Sequence, residues 1–229
     1  MEISKRTTLA LALLVATAVG IAACGGTDTG ADRDVPPSVV VGALGDSITA
    51  GSPLWDPDPA LRSQIPAPDR RSQYGYWAER ALPRAEFHNC GVPGERTDEI
   101  AARLDTCAEG ADVLIVQGGV NDIAQGIAPA PAARNLRAMV RRGKQLGLRV
   151  AIVELLPWNG GYPRADRPIR ELNRRIALIG GEEDVPVLQW YDELEDPRQP
   201  GRMRDDLTVD LVHPSVKGYR RLGESVELP

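Results

Sequence analysis

The sequence predicts an α/β fold: a doubly wound domain of three layers with a five-stranded parallel sheet in the middle. Short runs rich in Val, Ile and Leu alternate along the chain with longer segments in which apolar residues recur every three to four positions. This is the pattern of strands alternating with helices. The run at 112–117 is apolar except at its two ends, as expected for a strand with helices covering both of its faces.

Five strands are expected, at residues 39–44, 85–89, 112–117, 150–156 and 185–189. A helix is expected at 74–82, between the first two strands. Pro83 should end this helix. The segment 52–72 holds five prolines and many charges. It is expected to be a loop, and a loop of that length in a compact domain is usually functional or disordered.

Helical periodicity predicts the remaining helices. Thr97 is expected to cap a helix that carries Ile100, Leu104 and Ala108 on one face. The other helices are expected at 132–146 with Gly147 as its stop, across 169–179 with Gly180 and Gly181 as its end, and across 216–226.

The first strand runs into Gly45-Asp46-Ser47, which places a serine hydroxyl on a turn. Such a hydroxyl becomes a nucleophile only when a base lies within hydrogen-bond reach and a third group orients that base. The chain has two histidines, His88 and His213. Asp210 precedes His213 by three residues, and Pro214 disfavours the α region for His213. One short turn is therefore expected to carry both the base and its orienting carboxylate.

Two more polar segments, 89–94 and 118–122, follow predicted strands. In open parallel sheets, ligands bind beyond the carboxyl ends of the strands. Ser47, the two segments and the turn that carries His213 are therefore expected to meet at one edge of the sheet.

These segments resemble the SGNH, or GDSL-type, hydrolase family. The resemblance covers about residues 39–226 and rests, in family order, on Gly45-Asp46-Ser47, Gly94, Gly119-Val120-Asn121-Asp122 and Asp210-Leu211-Val212-His213. It implies a flavodoxin-like sheet with strand order 2-1-3-4-5. It also implies an esterase in which Ser47 attacks an acyl carbonyl, His213 moves the proton and Asp210 orients the imidazole. The segment 156–160 is similar to the one that follows a strand in thioesterase I and lysophospholipase L1-like members, which hints at acyl substrates.

The resemblance assigns three donors to the oxyanion of the tetrahedral intermediate: the Ser47 N–H, the Gly94 N–H and the Asn121 side-chain amide. Glycine lets a backbone amide approach closely, and an asparagine amide donates without bringing a charge. Gly91 is a competing choice for the glycine, although the spacing from Asn89 favours Gly94. Asn121 has the alternative of forming a local Asx turn.

Other polar residues are expected to have structural roles. Asp46 and Asp122 should bond to nearby loop amides, and His88 should be packed within its strand. Cys90 is a weak candidate for a nucleophile, because His88 is the only histidine near it in sequence. Cys90 and Cys107 can pair in an oxidising compartment, and their spacing leaves the pairing open.

No metal and no cofactor are expected. No cluster has zinc-ligand spacing, and the glycines from 45 to 51 lack the lysine of a phosphate-binding loop. The formal net charge is −5 and no basic cluster stands out, which argues against nucleic acid as a partner.

Residues 1–23 are expected to be a lipoprotein signal peptide, because Lys5 and Arg6 precede an uncharged apolar stretch. The stretch ends in Ile21-Ala22-Ala23-Cys24, which is similar to a bacterial lipobox with Cys24 as the lipidated residue. Residues 24–37 then form a flexible tether and 38–229 an SGNH hydrolase-type esterase domain. An ordinary cleaved signal or an uncleaved anchor is the alternative. The expected location is the outer face of the cell membrane.

The leading hypothesis is a hydrolase of small-molecule or polysaccharide esters, with acyl esters, thioesters, lysophospholipids and O-acetyl sugars as candidate substrates. The second is a lipid-anchored binding module on the same scaffold with an inert serine. Trp55, Trp158 and Tyr162 either line a substrate pocket or pack their loops on the body of the domain.

Overall fold

The computed structural model describes residues 39–51, 60, 64 and 69–229. Its strands are β1 (Val39–Gly45), β2 (Ala85–Gly91), β3 (Val113–Val116), β4 (Arg149–Val153), β5 (Val187–Leu188), β6 (Glu195–Asp196) and β7 (Gln199–Met203). The α-helices in the described part are α1 (Ser47–Ala50), α2 (Tyr74–Ala81), α3 (Thr97–Ala102), α4 (Leu104–Ala108), α5 (Val120–Ala124), α6 (Pro129–Gln145), α7 (Asp166–Glu183), α8 (Trp190–Leu194) and α9 (Val216–Glu224). The predicted signal peptide, Cys24, the tether and Trp55 lie outside the described residues.

The first five strands form one parallel sheet in the order β2-β1-β3-β4-β5. Both the predicted fold class and the strand order implied by the resemblance are confirmed. Chain order reverses between β1 and β3, so the crevice beyond the carboxyl ends of these strands is the place where such sheets bind ligands.

The central strands bury both faces of the sheet. In β3, Leu114 and Val116 pack with α6 and α7, whereas Val113 and Ile115 point to the other face and pack with α2, α8 and α9. Successive side chains of a strand point to opposite faces, so an all-apolar run is required when helices cover both sides. The loops at the edge of the sheet are therefore carried by strands that are buried on both faces.

The helix predicted from Thr97 to Ala108 is two short helices, α3 and α4, which meet at Arg103. Thr97 is the first residue of α3 and not its N-cap, so that prediction is wrong. Its hydroxyl donates instead to Asp122 Oδ1 at 2.7 Å. The N-cap is Arg96, whose backbone N–H donates to Glu99 at 2.9 Å.

The prediction that Gly180 and Gly181 end their helix is also wrong, because α7 continues to Glu183. A Cβ on Gly180 would lie 2.4 Å from Val187 Cγ2. The glycine therefore allows α7 to pack closely on β5 and does not break the helix. The helix ends at Asp184, which adopts the left-handed conformation that closes many helices.

The segment after β5 contains elements that the apolar pattern did not predict. The strand expected at 185–189 is only two residues long, and α8 and the antiparallel pair β6–β7 follow it. Strands β6 and β7 are mostly polar, so period-two alternation of apolar residues is absent. Among the described residues, no helix is long and apolar enough to cross a membrane.

Candidate active site

Loops at the carboxyl edge of the sheet carry the predicted site residues. Ser47 follows β1, Gly94 follows β2 and Asn121 follows β3. Asp210 and His213 lie between β7 and α9, on a loop that returns to the same edge. Residues far apart in the chain thus meet at the strand ends, as a parallel sheet requires.

Ser47, His213 and Asp210 form one hydrogen-bonded chain. The Ser47 hydroxyl lies 2.9 Å from His213 Nε2, and His213 Nδ1 lies 2.6 Å from Asp210 Oδ2. An ionised carboxylate only accepts, so His213 Nδ1–H donates to Asp210, and Nε2 is left to accept the serine proton. The structure therefore brings together the three residues that the sequence predicted, with the geometry of an activated serine.

The turn that carries His213 is built around Asp210. Its Oδ1 accepts the backbone N–H groups of Val212 at 3.0 Å and His213 at 2.7 Å. Leu211, between Asp210 and Val212, has φ = +71°, a conformation that is costly for a leucine. Partial burial opposes ionisation of Asp210, but these backbone bonds and the imidazole together lower its pKa below the ordinary value. Asp210 thus stays ionised, and able to accept from the imidazole, to a lower pH than an ordinary aspartate.

Buried polar side chains form hydrogen bonds to the turn that carries Ser47. The buried Asp46 Oδ1 accepts the Ile48 N–H at 2.9 Å and so caps α1. Gln117 Oε1 accepts the Asp46 N–H at 3.1 Å and the Thr49 hydroxyl at 2.9 Å. Sequence reasoning missed Gln117, although a polar residue ending an otherwise apolar strand could have marked it.

Asp46 is fully buried, and the structural role predicted for it is confirmed. Its second oxygen, Oδ2, has no hydrogen-bond partner among the described residues. Burial raises the pKa of Asp46 to about 6, although the hydrogen bond from Ile48 and the nearby His213 lower it. The carboxyl group directly before the serine therefore takes up a proton in mildly acidic solution.

The backbone N–H groups of Ser47 and Gly94 are the candidate donors to an anion. Within the described part of the chain, neither the Ser47 N–H nor the Gly94 N–H donates to another group. Gly94 has φ = +83° and nothing lies within 4 Å of where its Cβ would stand. The N–H of Gly91 is already bonded to Asn89 Oδ1 at 2.9 Å, so Gly94 is the glycine with a donor available.

Asn121 projects its amide toward the same loop. Its Nδ2 donates to the Glu95 carbonyl at 2.8 Å, next to Gly94 in the chain. An amide nitrogen carries two hydrogens, so one remains for a further acceptor. The side chain is bonded across to another loop, and no local turn is formed by it in the described structure.

Three other residues considered in the sequence, Asp122, His88 and Cys90, have contacts that test the roles predicted for them. Asp122 accepts the Thr97 N–H at 2.9 Å, as its predicted structural role requires. His88 is 47% exposed on the edge strand β2 and lies 3.2 Å from Glu86, so the prediction of a packed histidine is wrong. Cys90 forms a disulfide with Cys107, which excludes it as a free thiol.

An apolar cavity of about 10 Å³ borders the site. Its lining includes Ile48, Val120 and Val212, which are chain neighbours of Ser47, Asn121 and His213. Trp158 also lines the cavity, whereas Tyr162 is 43% exposed and stacks with Arg202. Of these two aromatic residues, Trp158 is therefore the one that lines the cavity.

No metal site emerges from the described residues, since they contain no group of three or more His, Cys, Asp or Glu side chains able to hold an ion. The absence of a metal and of a cofactor stays a prediction from the sequence.

Comparison with known proteins points to one family. Residues 43–221 match the family model described as the GDSL-like lipase/acylhydrolase family. Esterase TesA of Pseudomonas aeruginosa is 25% identical over 141 residues, which are 60% of this chain and 66% of that protein, slightly less than two thirds of its length. Spore germination lipase LipC of Bacillus licheniformis is 25% identical over 211 residues, 80% of this chain and 92% of that one.

Solved structures share the fold. A lipolytic protein of the G-D-S-L family from Desulfitobacterium hafniense superposes with a TM-score of 0.66 at 21% identity, covering 81% of this chain and 95% of that one. Axe2, an acetylxylan esterase from Geobacillus stearothermophilus, superposes with a TM-score of 0.66 at 17% identity, covering 83% and 93%. At these identities the likeness extends to the fold alone.

Proposed function

The chain belongs to the GDSL-like lipase/acylhydrolase family, and from this premise we propose that it hydrolyses carboxylic esters through an acyl-enzyme formed on Ser47. The family and the esterase and lipase relatives support ester hydrolysis. The observation that carries the mechanism is the chain of hydrogen bonds from Ser47 through His213 to Asp210.

In the proposed acylation step, Ser47 Oγ attacks the carbonyl carbon of the ester. His213 Nε2 takes the hydroxyl proton as the new C–O bond forms, and it returns that proton to the leaving alkoxide when the ester C–O bond breaks. Asp210 holds the imidazole in the required tautomer and stabilises the imidazolium. Water then attacks the acyl-enzyme in the same way, with His213 as general base, and releases the carboxylic acid.

The negative charge on the carbonyl oxygen would be bound by the Ser47 N–H, the Gly94 N–H and the Asn121 side-chain amide. The two backbone amides support this role because they lack other acceptors among the described residues. Each such donor lowers the barrier by about 3 kcal/mol, because it is oriented before the charge develops.

The proposed substrates are esters with a short acyl group, such as O-acetyl groups on cell-envelope polysaccharides or small acetyl esters. The cavity beside Ile48 has a volume of about 10 Å³, close to the smallest space that holds one water molecule. A space this small favours the shortest acyl groups over long ones. A long acyl chain would need the side chains of Trp158 and its neighbours to move apart.

We also propose that the protein works outside the cytoplasm, attached to the membrane through a lipidated Cys24. The disulfide between Cys90 and Cys107 supports export, because disulfides persist mainly in oxidising compartments. Two or more acyl chains on Cys24 would hold the domain at the membrane surface, which one chain does only weakly.

The test is hydrolysis of p-nitrophenyl acetate, butyrate and octanoate by the purified protein and by Ser47→Ala. Ser225→Ala is the matched control, since Ser225 lies at the end of α9 and donates to the Leu222 carbonyl. The proposal expects the highest kcat/KM with acetate, full activity in Ser225→Ala and none above background in Ser47→Ala. Activity that survives in Ser47→Ala would contradict the mechanism, and absence of turnover in the unmodified protein would favour an inert binding module.

A further inference from the structure

One side chain ties together the two strand ends that lead into the site. Arg103 stands at the break between α3 and α4 and is three-quarters buried. Its guanidinium donates to the Gly45 carbonyl at 3.2 Å and to the Cys90 carbonyl at 2.9 Å. Gly45 is the last residue of β1, and Cys90 is the last but one of β2. Arg103 thus bridges neighbouring strands at the edge where the ligand would bind.

The same guanidinium also holds the loop that follows β2. Arg103 Nε lies 2.9 and 3.0 Å from the two carboxylate oxygens of Glu95, and a terminal nitrogen lies 2.6 Å from one of them. Glu95 directly follows Gly94, and its carbonyl accepts the Asn121 amide. The side chain and the backbone of Glu95 are therefore both fixed from neighbouring elements.

We propose that Arg103 is a positioning residue that sets the spacing between the Ser47 and Gly94 N–H groups. Ser47 lies two residues after the carbonyl that Arg103 binds on β1, and Gly94 lies one residue before the carboxylate that it binds on the loop. The inference rests on the proposed function, because the spacing matters only if both amides bind the developing oxyanion.

Arginine has the geometry that this position requires. Its planar guanidinium presents several N–H groups in a fixed fork, so one side chain satisfies a carboxylate and two carbonyls at once. A lysine ammonium in the same place has no such fork. With Arg103 removed, the Glu95 carboxylate loses its partner and the loop gains freedom. In this proposal the Ser47 and Gly94 N–H groups stabilise the transition state more strongly than they stabilise the bound ester. A shift in the spacing of these groups therefore lowers kcat and leaves KM nearly unchanged.

The experiment compares Arg103→Gln and Arg103→Lys with the unmodified protein, using p-nitrophenyl acetate as substrate and phenylboronic acid as an inhibitor that forms a tetrahedral adduct on serine. Arg142→Gln is the matched control, because it removes a two-pronged ion pair to Asp105 on α4 without touching the strand ends. Melting temperatures are recorded for each variant, and kinetics are measured well below them.

We expect Arg103→Gln to lower kcat by roughly 10- to 100-fold, as small displacements of oriented groups do. KM should change by less than about threefold. Binding of phenylboronic acid should weaken in parallel with kcat, and the pH dependence of kcat/KM should keep its midpoint because the Ser47–His213–Asp210 chain is untouched. Arg142→Gln should match the unmodified protein in all of these.

A double-mutant cycle tests whether Arg103 acts through Glu95. It also replaces the first comparison if Arg103→Gln does not fold. Glu95→Gln should lower kcat less than either Arg103 variant, and Arg103→Lys combined with Glu95→Gln should be no slower than Arg103→Lys alone. Equal kcat in the Arg103 variants and Arg142→Gln, or additive losses in the cycle, would overturn the inference. The proposed function would fail separately, through activity that remains in Ser47→Ala.

Discussion

The buried carboxyl group of Asp46 makes stability depend on pH in a way that can be measured. Burial raises its pKa from 3.8 to about 6 in the folded protein. A group with a raised pKa stabilises the fold fully below its unfolded pKa and loses that contribution as pH rises through its folded pKa. Relative to a variant without this carboxyl, the free energy of unfolding of the unmodified protein should therefore fall as pH rises from 4 to 7.

The magnitude follows from the shift of about two pH units. At 1.36 kcal/mol for each unit, ionised Asp46 costs about 3 kcal/mol at neutral pH, and about 2 kcal/mol of this develops between pH 4.5 and 7.5. Asp46→Asn keeps an oxygen that can cap Ile48 but cannot ionise. The amide nitrogen of this variant takes the place of Oδ2, which has no hydrogen-bond partner among the described residues. The cost of leaving that nitrogen unpaired is the same at every pH.

The assay is urea unfolding of the unmodified protein and Asp46→Asn at pH 4.5, 6.0 and 7.5. The free energy of unfolding of Asp46→Asn minus that of the unmodified protein should rise by about 2 kcal/mol across this range. Asp105→Asn is the control, because its hydrogen bonds to Arg142 lower the pKa of Asp105 below the ordinary 3.8. Its contribution to stability therefore changes only at more acidic pH, and its own difference from the unmodified protein should stay nearly constant from pH 4.5 to 7.5. If the difference between Asp46→Asn and the unmodified protein stays constant with pH, or falls, the raised pKa of Asp46 is refuted.

Three further predictions concern the site and its support. Asp210→Asn should lower kcat for p-nitrophenyl acetate by about 10⁴-fold, because the imidazole then loses the acceptor that fixes its tautomer; a loss below tenfold would contradict that role. Asn121→Ala should lower kcat by about 100- to 1000-fold with little change in KM if its amide binds the oxyanion, and a change in KM alone would assign it to substrate binding. Cys90→Ser combined with Cys107→Ser opens a loop of sequence separation 17 and should lower the free energy of unfolding by about 3 kcal/mol in urea titrations; unchanged stability would show that the cross-link adds nothing to the folded state.

The sequence was sufficient for the sheet because both faces of it are buried. The runs that became β1, β3 and β4 had to be almost entirely apolar to pack against helices on either side, and that pattern is visible without coordinates. The break at Arg103 and the passage of α7 through Gly180 were not predictable in this way. Both depend on tertiary contacts, with the strand-end carbonyls in one case and with Val187 in the other.

The site was predictable to the extent that single residues mark it. Ser47 was identified from its position after a strand, Asp210 and His213 from their spacing before Pro214, and all three from the family resemblance. The structure places His213 within hydrogen-bond distance of both Ser47 and Asp210. Gln117 and Arg103 were missed because they act through backbone carbonyls and amides of residues distant in sequence. A lone polar residue in a strand or helix carries no local signal of such contacts.

The central claim is that Ser47 is an activated nucleophile, and the most direct measurement is labelling of the purified protein with a fluorophosphonate, followed by mass spectrometry of its peptides. The account predicts one adduct on Ser47 that is absent in Ser47→Ala and strongly reduced in His213→Ala, because only a serine with a base at 2.9 Å reacts quickly. No adduct between pH 6 and 9, or an adduct on another residue, would contradict it.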